Sequence, residues 1–326
     1  MNTTATSALN DPASLAVTVV IPTHNPDLGR LRRTLRGLQA QTLPPGRWET
    51  ILVDNASTAF PLAAAYADAA PANLAVVPEP VLGLTSARRR GLVAARGGVI
   101  ILVDDDNVLA PGYLAAAAAL FARAPRLGAA GGKSRAVFEV PPAPWQVEFF
   151  PLLAIRDLGE AEILATSLRP DGASRNEYPR CAPIGAGMAL RREAALAWSA
   201  SLDQDQARRH LDRRGAALVS GGDNDIVMTV LEGGWAVGYF PTLVLEHLIP
   251  ASRLDRKYLG RINRAIQRSW VQVLALHAAN PWPRIPAWTV PLRQARAYLA
   301  GAAWKSPERY VRWQGLCGRF EGQAPL

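Results

Sequence analysis

"VIILVDDDNVLAPGYL", residues 99–114, sets five apolar residues directly against three adjacent carboxylates, Asp104, Asp105 and Asp106, and then runs on toward a helix start. A short Val/Ile-rich run bounded by polar residues reads as a strand. Three ionised carboxylates within reach of one another repel unless something positive sits among them. The strand is therefore expected to deliver a charged tip to a place where a ligand supplies the missing charge.

The same pattern repeats upstream. "LAVTVVIPTHN" (15–25) is a β-branched run ending at Pro22, followed by Asp27 as an N-cap and Leu28, Leu31, Leu35 and Leu38 at helical spacing. "TILVDNAS" (50–57) gives a second strand with Asp54 and Asn55 at its end, and "LAVVPEP" (74–80) a third. "TSARRRGLVAARGG" (85–98) reads as a helix closed by Gly97 and Gly98, which leads into the quoted strand. Strands alternating with helices over residues 16–125 imply a parallel, doubly wound α/β sheet, because each parallel crossover needs a helix to return the chain. In such sheets ligands collect at the carboxyl ends of the strands. Thr23, His24, Asn25, Asp54, Asn55 and the three aspartates all fall there. Asp104 and Asp106, two apart on extended chain, are expected to share a face, with Asp105 on the other.

The middle of the chain is less regular. "PPAPWQVEFFPLLAIRD" (141–157) is Pro-rich and aromatic, and "TSLRPDGASRNEYPR" (166–180) reads as a mobile loop. "APIGAGMALRREAALAW" (182–198) reads as a strand leading to a helix, its small residues permitting close backbone approach. Residues 218–250 give a Gly-rich turn, a helix with Ile226, Val227, Val230 and Leu231 on one face, and a strand pair carrying His247.

A divalent cation is the natural partner of the Asp cluster, since Mg²⁺ or Mn²⁺ takes oxygen ligands and binds through one or two carboxylates while a diphosphate supplies the rest. Asp223 and Asp225 open the 218–250 helix, where the helix dipole keeps a carboxylate ionised, as a simple N-cap or as a base. Arg191 and Arg192 read equally as diphosphate contacts or as a solvated helix start.

In order, "VVIPTHN", "ILVDNAS", "LTSARRRGLVAARG", "LVDDDN", "GAGMALRR", "GGDNDIVMTVLEGGWAVGYFP" and "LEHLIPASRL" make residues 16–260 resemble the inverting family 2 glycosyltransferases of GT-A fold. The resemblance implies a Rossmann-like, mostly parallel twisted sheet and transfer of a sugar from a nucleotide-diphosphate sugar to an acceptor hydroxyl. It assigns Pro22, Thr23, Asn25, Asp54 and Asn55 to the nucleotide and Arg88 to the base or diphosphate. Asp104 and Asp105 fall to the donor, Asp106 and His247 to the metal. Asp223 takes the role of catalytic base, with Asp225 as its rival. Gly222 stands where the family carries Glu, and Arg89 where it carries Asn. Two other readings are a nucleotidyltransferase and a non-catalytic sugar-nucleotide-binding scaffold. The first usually needs a Gly-rich, Lys-bearing loop after its first strand, which "PTHNPDLGR" does not provide.

Composition bounds the setting. The 326 residues carry a net charge of +9. Residues 251–326 hold 13 Lys/Arg against 3 Asp/Glu, a balance of +10 that leaves −1 for everything before them. That last quarter also holds five of the nine tryptophans. Basic residues interleaved with indoles point to an anionic surface with an apolar boundary, such as a phospholipid headgroup layer; no motif supports nucleic acid. Leu254, Tyr258, Ile262 and Ile266, spaced by four, predict a basic amphipathic helix over 251–272 that either packs on the core or meets a membrane. No uncharged run is long enough to span a bilayer. Two distant cysteines, Cys181 and Cys317, are expected to be reduced, in a cytoplasmic protein that lies on the inner face of the plasma membrane if the tail binds it. The expected organisation is a disordered 1–14, a GT-A domain over 15–250 and a basic Trp-rich helical extension over 251–326, working on a saccharide or lipid-linked acceptor in envelope, polysaccharide or glycolipid synthesis.

Overall fold

The structure, a computed structural model, describes residues 14–59, 66–169, 176–215 and 218–324. The expectation for residues 1–14 falls outside this range but for Ser14, and so does the centre of the loop expected to be mobile, residues 170–175.

Among the described residues, nine strands form one mixed sheet. β1 (Val17–Thr23), β2 (Trp48–Asp54), β3 (Leu74–Pro78) and β4 (Val99–Leu102) are mutually parallel in the order β3-β2-β1-β4. The sheet continues through β8 (Ala189–Arg191), β6 (Leu127–Phe138), β9 (Ala236–Ile249) and β5 (Asn107–Leu109), with β7 (Ile163–Ala165) also on β9. β4 pairs antiparallel with β8, so the doubly wound half gives way to a mixed half at this point.

The period of two along each parallel strand builds two cores at once. Val17, Val19 and Ile21 of β1, with Val99 and Ile101 of β4, join one core; Val20, Ile100 and Leu102 join the other. Helix α1 (Leu28–Gln39) covers the first face with Leu31, Leu35 and Leu38, capped as expected by Asp27, which accepts from the Arg30 N–H. Helix α2 (Leu84–Ala94) contributes Leu92 to the second face, and α3 (Tyr113–Arg123) contributes Leu114 and Phe121 to the first. α4 (Arg192–Gln204) and α5 (Gly222–Glu232) bury Trp198 and Ile226 on the second face.

Three details differ from expectation. Between β4 and α3 the chain makes a short extra strand, β5, which its three residues are too few to announce. The predicted strand pair over 236–249 is the single bent strand β9. The register of β6 against β9 shifts between Gly131 and Lys133, and the two halves of β9 then serve β7 and β5. Arg191 is neither solvated nor near the cavity described below: its guanidinium is buried against the carbonyls of Leu127, Phe121 and Ala124 at 2.8–3.0 Å and stacks over Phe121 and Trp235. Arg192 bonds the Ala95 carbonyl.

The tail forms α6 (Arg256–Leu276), α7 (Val290–Ala300) and α8 (Pro307–Gln323). α6 starts at the Asp255 cap and buries Val273 and Leu274 in the second core. α8 lies along α6, and Val311 packs with Leu259, Leu254, Phe149 and Leu153 in a third cluster. Among the described residues no helix is long and apolar enough to cross a membrane.

Candidate active site

The carboxyl ends of β1 and β4, the starts of α2 and α5, the end of β9 and one face of α6 enclose a cavity of about 460 Å³. The chain turns sharply at the acidic tip. The Asn107 N–H bonds the Asp104 carbonyl at 3.0 Å, so Asp104–Asn107 is a β-turn rather than the extended stretch expected. All three aspartates line the cavity, with no division between two faces.

Each is treated differently. Asp105 accepts from the Thr23 hydroxyl at 2.5 Å. Burial, then the charges of Asp106 and Asp104, push its carboxyl up to about 7 against the contribution of Thr23. Asp106 is also buried, which alone raises a carboxyl; neighbouring His247 and the charges of Arg253 and Arg213 outweigh that and hold it well below the usual range. Asp104 is half-buried.

Arg253, from the 3-10 turn at Ala251–Leu254, was not anticipated. Its guanidinium lies 2.8 Å from Asp106 Oδ2 and 3.0 Å from His247 Nε2. His247 Nε2 thus faces both the Arg253 guanidinium and Asp106 Oδ1, at 3.0 and 3.4 Å, while Nδ1 is a buried atom without a partner among the described residues. Both His247 and Asp106 line the cavity.

That pair fits a divalent cation. Adjacent ligands on an octahedral Mg²⁺ or Mn²⁺ stand about 3 Å apart, and one carboxylate with one imidazole leaves positions for phosphate oxygens. Among the described residues no group of three or more His, Cys, Asp or Glu is arranged to hold a metal, so the remaining ligands would come from substrate or water. Arg253, resting on His247 Nε2 and on the other Asp106 oxygen, would have to withdraw.

Asp223 lines the cavity at the first turn of α5, its Oδ2 accepting from the Gly185 N–H at 3.1 Å. Asp225 is turned into the core, where Trp198 Nε1, Arg208 Nη1 and His277 Nε2 stand 2.6–2.9 Å from its oxygens. Of the two carboxylates, only Asp223 faces the cavity.

Arg88 is buried in the wall and paired with Asp212 at 3.0 Å, while the charges of Asp104 and Asp223 add to those holding it ionised. Asp212 explains Gly222. A Cβ at Gly222 would lie 2.1 Å from Asp212 Oδ2, so this loop carboxylate fills the space a side chain there would need. It also accepts from the Gly222 N–H at 3.1 Å.

Pro22, Thr23 and Asn55 line the cavity beside His24, but the Asn55 amide is spent on the segment after β3, bonding the Glu79 and Val81 carbonyls and the Gly83 N–H. Asn25 and Asp54 are not in the wall. Asn25 caps the Thr58 and Ala59 N–H groups, and Asp54 that of Ser57. Arg213, Ser220 and Asn224 also line the cavity, and an apolar part of the wall comes from Leu152, Leu153, Ile184, and Tyr258, Ile262 and Ile266 of α6. The amphipathic face read in the tail therefore builds the cavity, rather than facing out. Sequence reasoning missed Arg253, Arg213 and Asp212; their only signal is proximity in the chain to His247 and Gly222.

Comparison with known proteins follows the same outline. The model of the family described as Glycosyl transferase family 2 matches residues 18–195. Among solved structures, S. aureus TarS 1-349 aligns with a TM-score of 0.50 at 14% identity, covering 94% of this chain and 89% of that one. S. aureus TarS aligns with a TM-score of 0.49 at 16% identity, over 92% of this chain and 55% of that one. At 14% identity the likeness to TarS 1-349 is one of fold. No curated protein matches the chain by sequence.

Proposed function

The chain belongs to glycosyl transferase family 2, and from that premise we propose that it is a metal-dependent, inverting enzyme transferring a sugar from a nucleotide-diphosphate sugar to an acceptor hydroxyl. The observation that carries this reading is the meeting of Asp106, His247, Arg88 and Asp223 around one cavity. An inverting displacement needs a base on the acceptor side and positive charge on the leaving side. Asp223 takes the proton from the acceptor hydroxyl as its oxygen bonds the anomeric carbon. The bond from that carbon to the donor phosphate breaks, and the nucleoside diphosphate leaves with the electron pair. Arg88, fixed by Asp212, and Arg253, once released from Asp106, hold the phosphates. Asp106 and His247 would hold a divalent cation, which would supply further positive charge to the leaving group. Thr23, Asp104 and Asp105 orient the donor.

The apolar wall of Leu152, Tyr258, Ile262 and Ile266 supports an acceptor with an apolar portion, a saccharide on a lipid carrier, used in envelope, polysaccharide or glycolipid synthesis. The basic tail supports work at an anionic membrane surface.

The test is donor turnover with UDP-, GDP-, dTDP- and CMP-sugars, each with and without Mn²⁺. Metal-dependent release of the nucleotide from one of them, abolished by Asp106→Asn, is expected. Asp223→Asn should lower kcat by about 10²–10⁴ with nucleotide affinity retained. Release of pyrophosphate from a nucleoside triphosphate, or no turnover of any donor, overturns the reading.

A further inference from the structure

Helix α7 is alone among the α-helices of the described residues in burying no residue. Its inner side rests on α8, where Trp313 Nε1 donates to the Gln294 carbonyl at 3.0 Å and Tyr298 packs edge-on to Trp313. Its outer side is not polar. Trp288, Leu292, Ala295 and Leu299 fall at i, i+4, i+7 and i+11, one continuous face, and all are exposed. Trp288 is 74% exposed, Leu292 65%, Leu299 66% and Trp304, just beyond the helix, 55%. Trp288, Leu299 and Leu292 have the three highest fractional exposures of any large apolar side chain among the described residues. The other tryptophans of the tail are held inward: Trp270 against Tyr178, Trp282 under Arg319, and Trp313 on α7 itself.

Charge says what this face meets. From Val271 to Pro307 there are four Lys/Arg and no Asp or Glu. Arg284, Arg293, Arg296 and Lys305 are all exposed, and none is in an ion pair among the described residues. A second copy docking through the same face would bring like charges together. A neutral apolar partner would leave four cations uncompensated. An anionic lipid layer satisfies both, the indoles and leucines entering the headgroup boundary while the cations meet phosphates. At 11 residues the helix is about 16 Å long, far short of the roughly 30 Å hydrocarbon core, so it lies in the interface.

We propose that α7 is an interfacial anchor that docks the Trp288–Leu292–Leu299–Trp304 face onto an anionic phospholipid bilayer. This rests on the membrane attachment inferred above and assigns it to one face. The basic, amphipathic α6 is not the anchor, because its apolar side lines the cavity.

The test is co-sedimentation of the full chain with vesicles of phosphatidylcholine, with and without about 30 mol% phosphatidylglycerol. Binding is expected only to the anionic vesicles, and should fall steeply between about 50 and 500 mM salt. The triple variant Trp288→Ala/Leu292→Ser/Leu299→Ser should lose at least about tenfold in partitioning with its circular dichroism and melting temperature unchanged. Arg293→Glu/Arg296→Glu should lose at least as much, and with it most of the salt dependence. The proposal is overturned if the parent chain stays in solution with anionic vesicles, or if the triple variant sediments as well as the parent. A parent chain that is dimeric without lipid, and that the triple variant makes monomeric, overturns it equally. None of these readouts needs sugar transfer, so an inactive chain that still binds vesicles refutes the glycosyltransferase reading alone.

Discussion

At Asp105, burial and two like-charged neighbours bring the carboxyl to about 7, whereas the unfolded chain ionises it near 4. The folded protein therefore holds a proton that the unfolded chain has released, and the stabilisation this gives, present in full below about 4, is lost as pH rises toward 7. The loss is on the order of 4 kcal/mol. The empty protein should melt at progressively lower temperature from pH 4.5 to 7.5, and Asp105→Asn should flatten most of that decline; an unchanged slope would refute the assignment. Asp212 carries the opposite risk. Asp212→Ala leaves Arg88 buried without its partner, at a cost of about 3–5 kcal/mol in stability by chemical denaturation. On the proposed reading Arg253 would couple two ligands, because a cation reaching Asp106 and His247 would displace a guanidinium that then needs an anion. Mn²⁺ and nucleoside diphosphate should each bind more tightly in the presence of the other, and by the same factor. Calorimetric titrations in both orders measure this, and Arg253→Ala should weaken the coupling, leaving the part due to phosphate oxygens on the metal, while raising affinity for Mn²⁺ alone. Asp104–Asp106, Asp223 and His247 were legible because each sits at the end of a recognisable strand or the start of a helix. Asp212 and Arg253 arrive from irregular segments, where spacing carries no periodic signal and only the folded chain brings them near Arg88 and Asp106.

Helices α5 and α6 are tied through one histidine. His277 ends α6 with Nε2 2.9 Å from Asp225 Oδ1 and Nδ1 2.8 Å from Glu232 Oε1. A carboxylate at each nitrogen calls for the doubly protonated ring. Burial works against that charge, but the two carboxylates prevail and raise the His277 pKa above its ordinary 6.5. Stability from this clamp is full below 6.5 and is lost as pH rises through the raised value. His277→Gln should remove that alkaline loss, read as melting temperature between pH 6.5 and 9. The clamp matters for the site because α5 carries Asp223 at its start and α6 carries the apolar wall. From sequence the amphipathic face of α6 could be seen but not its partner, since periodicity reports that a face is apolar and not what covers it. The parallel strands were plain for the converse reason: β-branched runs with helices between them leave the chain one way to close. β5, three residues long, and the bulge in β9 fall below what such patterns resolve.

Across the whole molecule, the tail is fastened by close contact of α6 with α8. A Cβ at Gly318 would lie 1.9 Å from the Arg264 carbonyl oxygen, so the two backbones touch where the helices cross. Gly318→Ala should therefore force them apart and cost about 1–3 kcal/mol, measured by denaturant unfolding. Because Tyr258, Ile262 and Ile266 line the cavity from this same pair, the variant should also weaken acceptor use more than nucleotide binding.

One helix thus faces two ways. α6 closes the chamber on one side and carries α8, and through it α7, on the other. Trimming the chain to strip away the outer helices would leave the chamber without its brace. Grafting those helices together with α6 onto an unrelated catalytic core would carry over one wall of this one. Whatever surface the outer helices settle on, the reaction chamber arrives there in a fixed orientation, as a tool head does on its handle.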